Sequence, residues 1–149
     1  MNLRNGILQI WQKIFNRLAP QLMYFQKKYI LEQNILYRNE PGISAEKYCD
    51  HYIIASVTSY GKRIYDVHLT IESLMEQTMR VNRIILWLDY SFENRPLPNA
   101  LRMLQERGLE IMYCKDIRSY KKLIPALKAF PEDVIITFDD DVVYEFDLL

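Results

Sequence analysis

Residues 133–141 read Asp-Val-Ile-Ile-Thr-Phe-Asp-Asp-Asp, a short apolar run that ends in three consecutive carboxylates. An apolar run of this length, rich in β-branched residues, is typical of a strand buried in a parallel sheet. Similar short runs occur three times earlier in the chain, over residues 52–58, 83–88 and 110–114. Together with residues 133–138, these segments predict four strands of one sheet.

Helix signals lie between the predicted strands. Asp66 is a candidate cap for the first helix, because its carboxylate can accept from free backbone amides. Pro98 and Gly108 suit the first turn and the end of the second helix. Pro125 disfavours helical geometry just before it, which places the start of the third helix near Pro125. The alternation of strands and helices predicts an α/β domain over residues 50–149 with a parallel, Rossmann-like sheet.

The first 38 residues are predicted to form a helical extension outside this domain. Apolar residues recur there at steps of three and four, and they are Ile7, Trp11, Ile14, Leu18, Leu22, Phe25 and Tyr29. This spacing predicts an amphipathic helix over residues 3–36. Pro20 removes a backbone donor, so we expect a break or kink near Ala19. Residues 39–42 contain Pro and Gly and are predicted to form a linker turn.

The charge is divided between these two parts. The chain has 19 basic and 19 acidic residues, and this balance argues against general nucleic-acid binding. Residues 1–31 contain five basic residues and no acidic one, so the rest of the chain carries a net charge of −5. A basic amphipathic helix suits an anionic membrane surface, and the alternative is a helix that packs on the following domain or on a partner chain.

The apolar stretches are too short and too interrupted for a signal peptide or a membrane span of ~20 residues. We therefore expect a cytoplasmic protein, and a membrane contact through residues 1–31 would be peripheral to the inner face. Cys49 and Cys114 form no metal or redox motif and are expected to be reduced thiols. His51 and His68 have no ligand spacing to either cysteine and are interpreted as ordinary packed or polar residues.

Polar side chains follow every predicted strand. Ligands bind beyond the carboxyl ends of strands in open α/β sheets, so these residues are the candidate site. In chain order they are Thr58, Tyr60, Arg63, Asp89, Lys121, Lys122, Asp139, Asp140 and Asp141. Arg63 and Tyr60 are candidates to clamp a ring or a phosphate, and the two lysines are candidates to meet phosphate oxygens. Alternatives without a ligand stay open for these residues. The lysines could form a solvated basic turn, and Asp89 could cap the turn that follows its strand.

The acidic triplet, residues 139–141, is the most specific of these features. Two carboxylates ~4 Å apart repel by about 4 kcal/mol at an effective dielectric near 20, so they favour exposure or a neutralising cation. Asp139 and Asp141 would share one face of an extended segment, and Asp140 would point the other way. Carboxylates plus substrate phosphates are the usual ligands of Mg²⁺, and Mn²⁺ suits the same oxygens. The alternative is a solvated acidic turn.

Five sequence blocks together resemble the N-terminal half of bacterial glycosyltransferases with the GT-A fold, close to the family 2 type. The blocks are residues 53–60, 68–74 with Gln77 and Thr78, 83–89, 119–127, and the strand into residues 139–141. The resemblance covers roughly residues 52–145. It implies a nucleotide-diphosphate-sugar donor, commonly UDP-linked, a Mg²⁺ or Mn²⁺ ion, and a glycan or lipid-linked acceptor. It assigns the base to Thr58, Tyr60 and Asp89, and it assigns the ribose and metal–diphosphate to Asp139 and Asp141.

The sequence departs from that family after the triplet. Family members continue into an acceptor-binding half that supplies the catalytic base, and this sequence stops at Leu149. Glu145 and Asp147 do not match that base by position. We therefore expect that the sheet is truncated after the acidic motif. For such a partial domain, nucleotide binding is expected rather than catalytic turnover. A completing chain is a candidate partner.

Two other functions stay open at this point. In a haloacid-dehalogenase-like phosphotransferase, Asp139 would be the nucleophile and Asp141 the acid/base. In a non-catalytic remnant or membrane-surface interaction protein, residues 1–36 would carry the function. Fold alone does not choose among these.

Overall fold

The structure, a computed structural model, describes the backbone of residues 3–149 and the side chains of Gln9 and of residues 11–149. The predicted place of Ile7 on the apolar stripe, and that of Arg4 among the basic residues, lie outside the described side chains. The helices are α1 (Leu3–Tyr37), α2 (Val67–Met75), α3 (Asn99–Glu106) and α4 (Ile124–Ala129). The strands are β1 (Ile53–Thr58), β2 (Arg83–Asp89), β3 (Leu109–Cys114) and β4 (Val134–Phe138).

All four strands form one parallel sheet in the order β3-β2-β1-β4. The central strand β1 pairs Ile54 with Arg83 on one side and with Ile135 on the other. Three short 3₁₀ turns follow β1, β2 and β3, at Gly61–Tyr65, Tyr90–Phe92 and Arg118–Lys122. The prediction of an α/β fold with a parallel sheet and a long N-terminal helix is confirmed.

The core lies mainly between the sheet and helices α2 and α3. Val57, Leu86, Ile71 and Leu104 meet there and are completely buried. Burying each such side chain stabilises the fold by about 1.5–3 kcal/mol relative to leaving it exposed. The other face of the sheet holds a smaller cluster, which consists of Ile54, Ile85, Trp87 and Ala126. Both faces of β1 and β2 are thus covered, which explains their continuous apolar sequences.

Two predictions about the helices do not hold as made. Of the break or kink expected near Ala19, the break does not occur, because helix α1 runs without interruption through Pro20. One proline removes one donor from a ladder of 35 residues, and the turns on either side keep their own hydrogen bonds. Asp66 occupies the N-cap position of α2, but its side chain makes no capping bond. Its backbone is already helical (φ −113°, ψ −20°), because the 3₁₀ turn runs directly into α2, whereas a capping residue needs an extended backbone.

The last third of α1 and the linker attach to the domain. Leu31 and Ile35 are buried, and α1 packs against α2 and α3. A Cβ at Gly42 would lie 2.3 Å from the Cγ of Met75, so only glycine lets the linker approach α2 this closely. Among the described residues, no helix has both the length and the hydrophobicity needed to cross a bilayer.

A buried ion pair joins α2 to the end of α3. Arg107 donates to Glu72 at 2.6 Å, and both side chains are at most 4% exposed. Arg107 also donates from Nε to the carbonyl of Glu40 in the linker, at 3.0 Å. Oε1 of Glu72 has no hydrogen-bond partner within the described part of the chain, and burial raises the pKa of this carboxyl.

Candidate ligand-binding site

A cavity of about 530 Å³ opens at the carboxyl ends of β1 and β4. Polar residues and one aromatic ring from three loops line it together with Phe138. The lining residues are Thr58, Tyr60, Arg63, Asp116, Arg118, Ser119, Lys121, Lys122, Phe138, Asp139 and Asp140. Seven of the nine sequence-predicted site residues are among them. Asp89 and Asp141 lie beside the cavity rather than in its lining.

The three acids after β4 differ in exposure. Asp140 is buried, and it accepts from the Ser59 hydroxyl at 2.7 Å and from Arg63 at 2.9 Å. The side chains of Asp139 and Asp141 are 69% and 56% exposed. Asp140 is therefore buried and its two neighbours are exposed. Residues 140 and 141 form a turn rather than the extended segment that the sequence analysis assumed, so Asp140 and Asp141 both reach Arg63 instead of pointing to opposite faces.

Asp139 is held at the cavity by one cation and one tyrosine. Its carboxylate accepts from Nζ of Lys122 at 2.6 Å, and its backbone N–H donates to the Tyr144 hydroxyl at 2.9 Å. The Tyr144 ring packs edge-on against Phe138, with 5.0 Å between ring centroids. Nζ of Lys122 also donates to the Phe138 carbonyl at 3.2 Å. The predicted lysine and the predicted aspartate thus form one pair at the wall of the cavity.

Arg63 bridges the other two acids. Its NH1 lies 2.9 Å from Asp140 and 3.2 Å from Asp141. The hydrogen bond to Asp140 is the main reason that the pKa of Arg63 is raised. The guanidinium lies 5.1 Å from the centroid of the exposed Tyr60 ring. Arg63 and Tyr60, predicted to act together, are in contact.

Lys121 is the most deeply buried charged group of the site. It is 1% exposed, and its Nζ lies 3.0 Å from Asp116 and 3.9 Å from Asp89. The hydrogen bond from Lys121 is the main cause of a lowered pKa at Asp116. A buried ammonium needs partners of opposite charge, and these carboxylates from the ends of β2 and β3 supply them. Lys121 lines the cavity with its charge already compensated.

Two residues of the predicted site, Asp89 and Thr58, form hydrogen bonds with backbone groups of the protein. Asp89 accepts from the Ser91 amide at 2.9 Å, so it caps the turn after β2. The pKa of Asp89 is lowered mainly by hydrogen bonding to the side chain of Ser91 and less by the Ser91 amide. Thr58 donates its hydroxyl to the Trp87 carbonyl at 2.8 Å. The capping interpretation of Asp89 is the one that the geometry shows.

The site also includes residues that are absent from the predicted set. Ser59 and Asp116 hold Asp140 and Lys121 in place. Asp116 also accepts from the Arg118 amide at 3.0 Å, in a turn where Arg118 has a φ of +57°. An aspartate two residues before a turn position is a local signal for such a bond, so Asp116 was within reach of sequence reasoning. Ser59 carried no comparable signal.

Helix α2 fixes the segment that carries the acids. The Thr70 hydroxyl contacts the carbonyls of Asp140 and Val142 at 3.1 and 2.8 Å. Ser73 accepts from the Tyr144 amide at 3.1 Å, and Gln77 accepts from the amides at the end of the chain. We call Thr70, Ser73 and Gln77 the latch residues. The latch ties the backbone of residues 140–149 to α2 and to Gln77, two residues after the end of that helix.

Within residues 3–149, no group of three or more His, Cys, Asp or Glu side chains is arranged to hold a metal ion. The chain has no significant match to a protein-family model, a curated protein or a solved structure.

Proposed function

We propose that this cavity binds a nucleotide-diphosphate sugar, most simply a UDP-sugar, as the donor site of a GT-A-type glycosyltransferase. One observation carries the proposal: exposed carboxylates pair with cations of one cavity wall, Asp139 with Lys122 in the lining and Asp141, just outside the lining, with Arg63. Such a wall offers ligands both to a diphosphate and to a divalent cation. The cavity also falls within the usual size range of small-molecule sites, roughly 300–1,000 Å³.

The nucleoside of the donor would contact the loop after β1, which forms one side of the cavity. The Tyr60 ring is 57% exposed and offers a flat apolar face to a base. The ordered Arg63 beside it can donate to a phosphate oxygen, because a guanidinium presents several N–H groups in a fixed fork. In this proposal Arg63 exchanges its contact with the exposed Asp141 for a phosphate and keeps its bond to Asp140.

The residues also fit a Mg²⁺ or Mn²⁺ ion. Asp139 and Asp141 provide exposed oxygen donors, and these cations are commonly held by one or two carboxylates together with substrate phosphates. The bound cation would offset negative charge on the departing diphosphate. Lys122 is placed to share that role, since its ammonium is on the cavity wall and only partly buried. Asp140 serves as a fixed anchor for Arg63 rather than as a metal ligand.

The proposal assigns no catalytic base. Transfer to a glycan or lipid-linked acceptor would need acceptor-binding groups beyond those described, and a completing chain is one source of them. Donor binding is therefore the property to test first.

The test is thermal unfolding with UDP, with and without Mn²⁺ or Mg²⁺. We expect UDP to raise the Tm only when the metal is present. At about 100 times Kd, a ligand adds about 2.7 kcal/mol of stability, which corresponds to roughly 5–10 °C for a domain of this size. Asp139→Asn and Asp141→Asn should abolish the rise. Asp147→Asn, an exposed acid in the same segment, is the matched control and should retain it. An unchanged Tm with every nucleoside diphosphate and metal would overturn the proposal.

A further inference from the structure

Most of helix α1 is not covered by the domain. Between Gln9 and Gln26 every described side chain except that of Ala19 is exposed, and burial begins only towards Leu31. Ten large apolar side chains between Trp11 and Ile30 are between 43% and 70% exposed, and seven of them share one face of the helix: Trp11, Ile14, Phe15, Leu18, Leu22, Phe25 and Tyr29. We call this set the α1 stripe. Contiguous exposed apolar patches on a protein surface mark interaction sites.

The α1 stripe is continuous and is turned away from the domain. At 3.6 residues per turn, its seven members fall within a sector of about 100°. The buried residues Leu31 and Ile35 point about 130° away from the centre of that sector. The domain therefore does not cover the stripe, and the stripe is available along its whole length.

The charges around the stripe are all of one sign. Lys13, Arg17, Lys27 and Lys28 lie outside the stripe sector, and the first acidic residue of the chain is Glu32. Trp and Phe on one face with Lys and Arg on the other is the composition of helices that lie in the headgroup region of a bilayer. A second copy of the chain also has an apolar stripe, but pairing two such helices would bring Lys13 and Arg17 of both copies together, and the chain has no acidic residue before Glu32. Lys27 already pairs with Glu145 of the domain at 2.8 Å.

We propose that α1 binds an anionic lipid surface, with the α1 stripe in the headgroup–acyl boundary and the basic residues at the anionic headgroups. Lys13 and Arg17 contribute by attraction to the surface, and that attraction weakens with salt. The lipid contact does not depend on the donor site proposed above, so either one can fail while the other stands.

The test is co-sedimentation of the full chain with lipid vesicles. We expect binding to phosphatidylcholine vesicles that contain about one third phosphatidylserine, and at least tenfold weaker binding to pure phosphatidylcholine or at high salt. Phe15→Gln with Leu22→Gln should weaken binding by about tenfold or more. The control pair Met23→Gln with Tyr37→Gln replaces equally exposed apolar side chains off the stripe, and it should bind like the wild type.

A second pair of variants tests the charges. Lys13→Gln with Arg17→Gln should weaken binding, and Arg102→Gln with Lys128→Gln, two exposed cations of the domain, should not. All replaced side chains are exposed, so an unchanged Tm shows that folding is intact. No binding to anionic vesicles, or equal binding to neutral ones, would overturn the proposal. So would a dimer in analytical ultracentrifugation without vesicles that becomes monomeric in the Phe15→Gln, Leu22→Gln variant.

Discussion

Two sets of paired charges in this protein differ in how much water reaches them. Glu72 and Arg107, between α2 and α3, are sealed from solvent. Arg63 and Lys122, at the end of the sheet, pair with Asp141 and Asp139, whose side chains are more than half exposed. The sealed pair has only protein around it. The open pairs border a cavity of about 530 Å³.

This difference separates a structural role from a binding role. A charge that loses its only buried partner destabilises the fold strongly, because nothing else compensates it. A charge at a wet cavity wall can exchange a protein partner for a ligand oxygen or for water at little cost. Binding energy in this fold should therefore depend on the open pairs and folding energy on the sealed one, and the following changes test that division.

The largest effect is expected at the sealed pair. Glu72→Ala leaves the buried Arg107 guanidinium with Glu76, 3.9 Å away and partly exposed, as its one remaining carboxylate among the described residues, so the free energy of unfolding should fall by about 3–5 kcal/mol. Urea denaturation measures this loss. The matched control is Glu110→Ala, which also deprives an arginine of its acid, Arg83, but at a partly exposed position. That control should cost about 0–1 kcal/mol. Equal losses in the two variants would show that burial does not set the difference.

A smaller effect is expected at the latch. Thr70→Val keeps the shape of the side chain and removes the hydroxyl that reaches the carbonyls of Asp140 and Val142. The loss should be about 1–3 kcal/mol, because buried acceptors are left without a donor. Thr78→Val removes an exposed hydroxyl bonded to Leu149 and should change the stability little. A Thr70→Val protein as stable as the wild type would mean that water replaces the hydroxyl and that the latch is not structural.

Lys122→Gln should lower the stability only slightly, by about 1–2 kcal/mol. The ion pair with the exposed Asp139 contributes about 0–1 kcal/mol, and the hydrogen bond to the Phe138 carbonyl contributes about 1 kcal/mol. The affinity for UDP with Mn²⁺, measured by calorimetry, should fall by about tenfold, since a charge-assisted contact to a phosphate is lost. Lys128→Gln, an exposed lysine on α4, should leave both quantities unchanged. A loss of stability without a loss of affinity would show that Lys122 has a structural role and not a binding role.

The smallest effect is expected in the pH dependence of the free energy of unfolding, through Asp116 at the cavity. The folded-state pKa of Asp116 lies below its usual range because Lys121 donates to it. The ionised form therefore stabilises the fold above the ordinary aspartate pKa, and this contribution disappears as the pH falls through the folded-state value. Between about pH 6 and about pH 2, Asp116→Asn should lose less stability than the wild type in urea titrations.

The strands and the edge of the sheet that bears the site were predictable from the sequence. β1, β2, β3 and β4 begin and end within one residue of the predicted bounds, because buried parallel strands are short, apolar and bounded by polar residues. The polar residues at their carboxyl ends converge for a topological reason, since parallel strands end at the same edge. The strands end at one edge whatever their order in the sheet, and the sequence does not reveal that order.

The contacts that hold the site were not predictable. Thr70, Ser73 and Gln77 bind backbone groups about 70 residues away in the chain, as the separations of these hydrogen bonds show. Backbone groups are the same in every residue, so the sequence of the bound segment gives no sign of them. The uninterrupted helix at Pro20 was missed for a related reason, because a local rule about one residue was applied to a helix of 35 residues.

The strand order also affects the sequence in which the parts of the domain fold. The central strand β1 pairs with β4, and Ser59 meets Asp140 across a separation of 81 residues. Contacts between distant parts of a chain form late, because a large loop must close before they contribute. During synthesis β1, β2 and β3 can associate before the residues after β4 leave the ribosome. We therefore expect the acidic wall of the cavity to be the last part of the domain to assemble and the first to open.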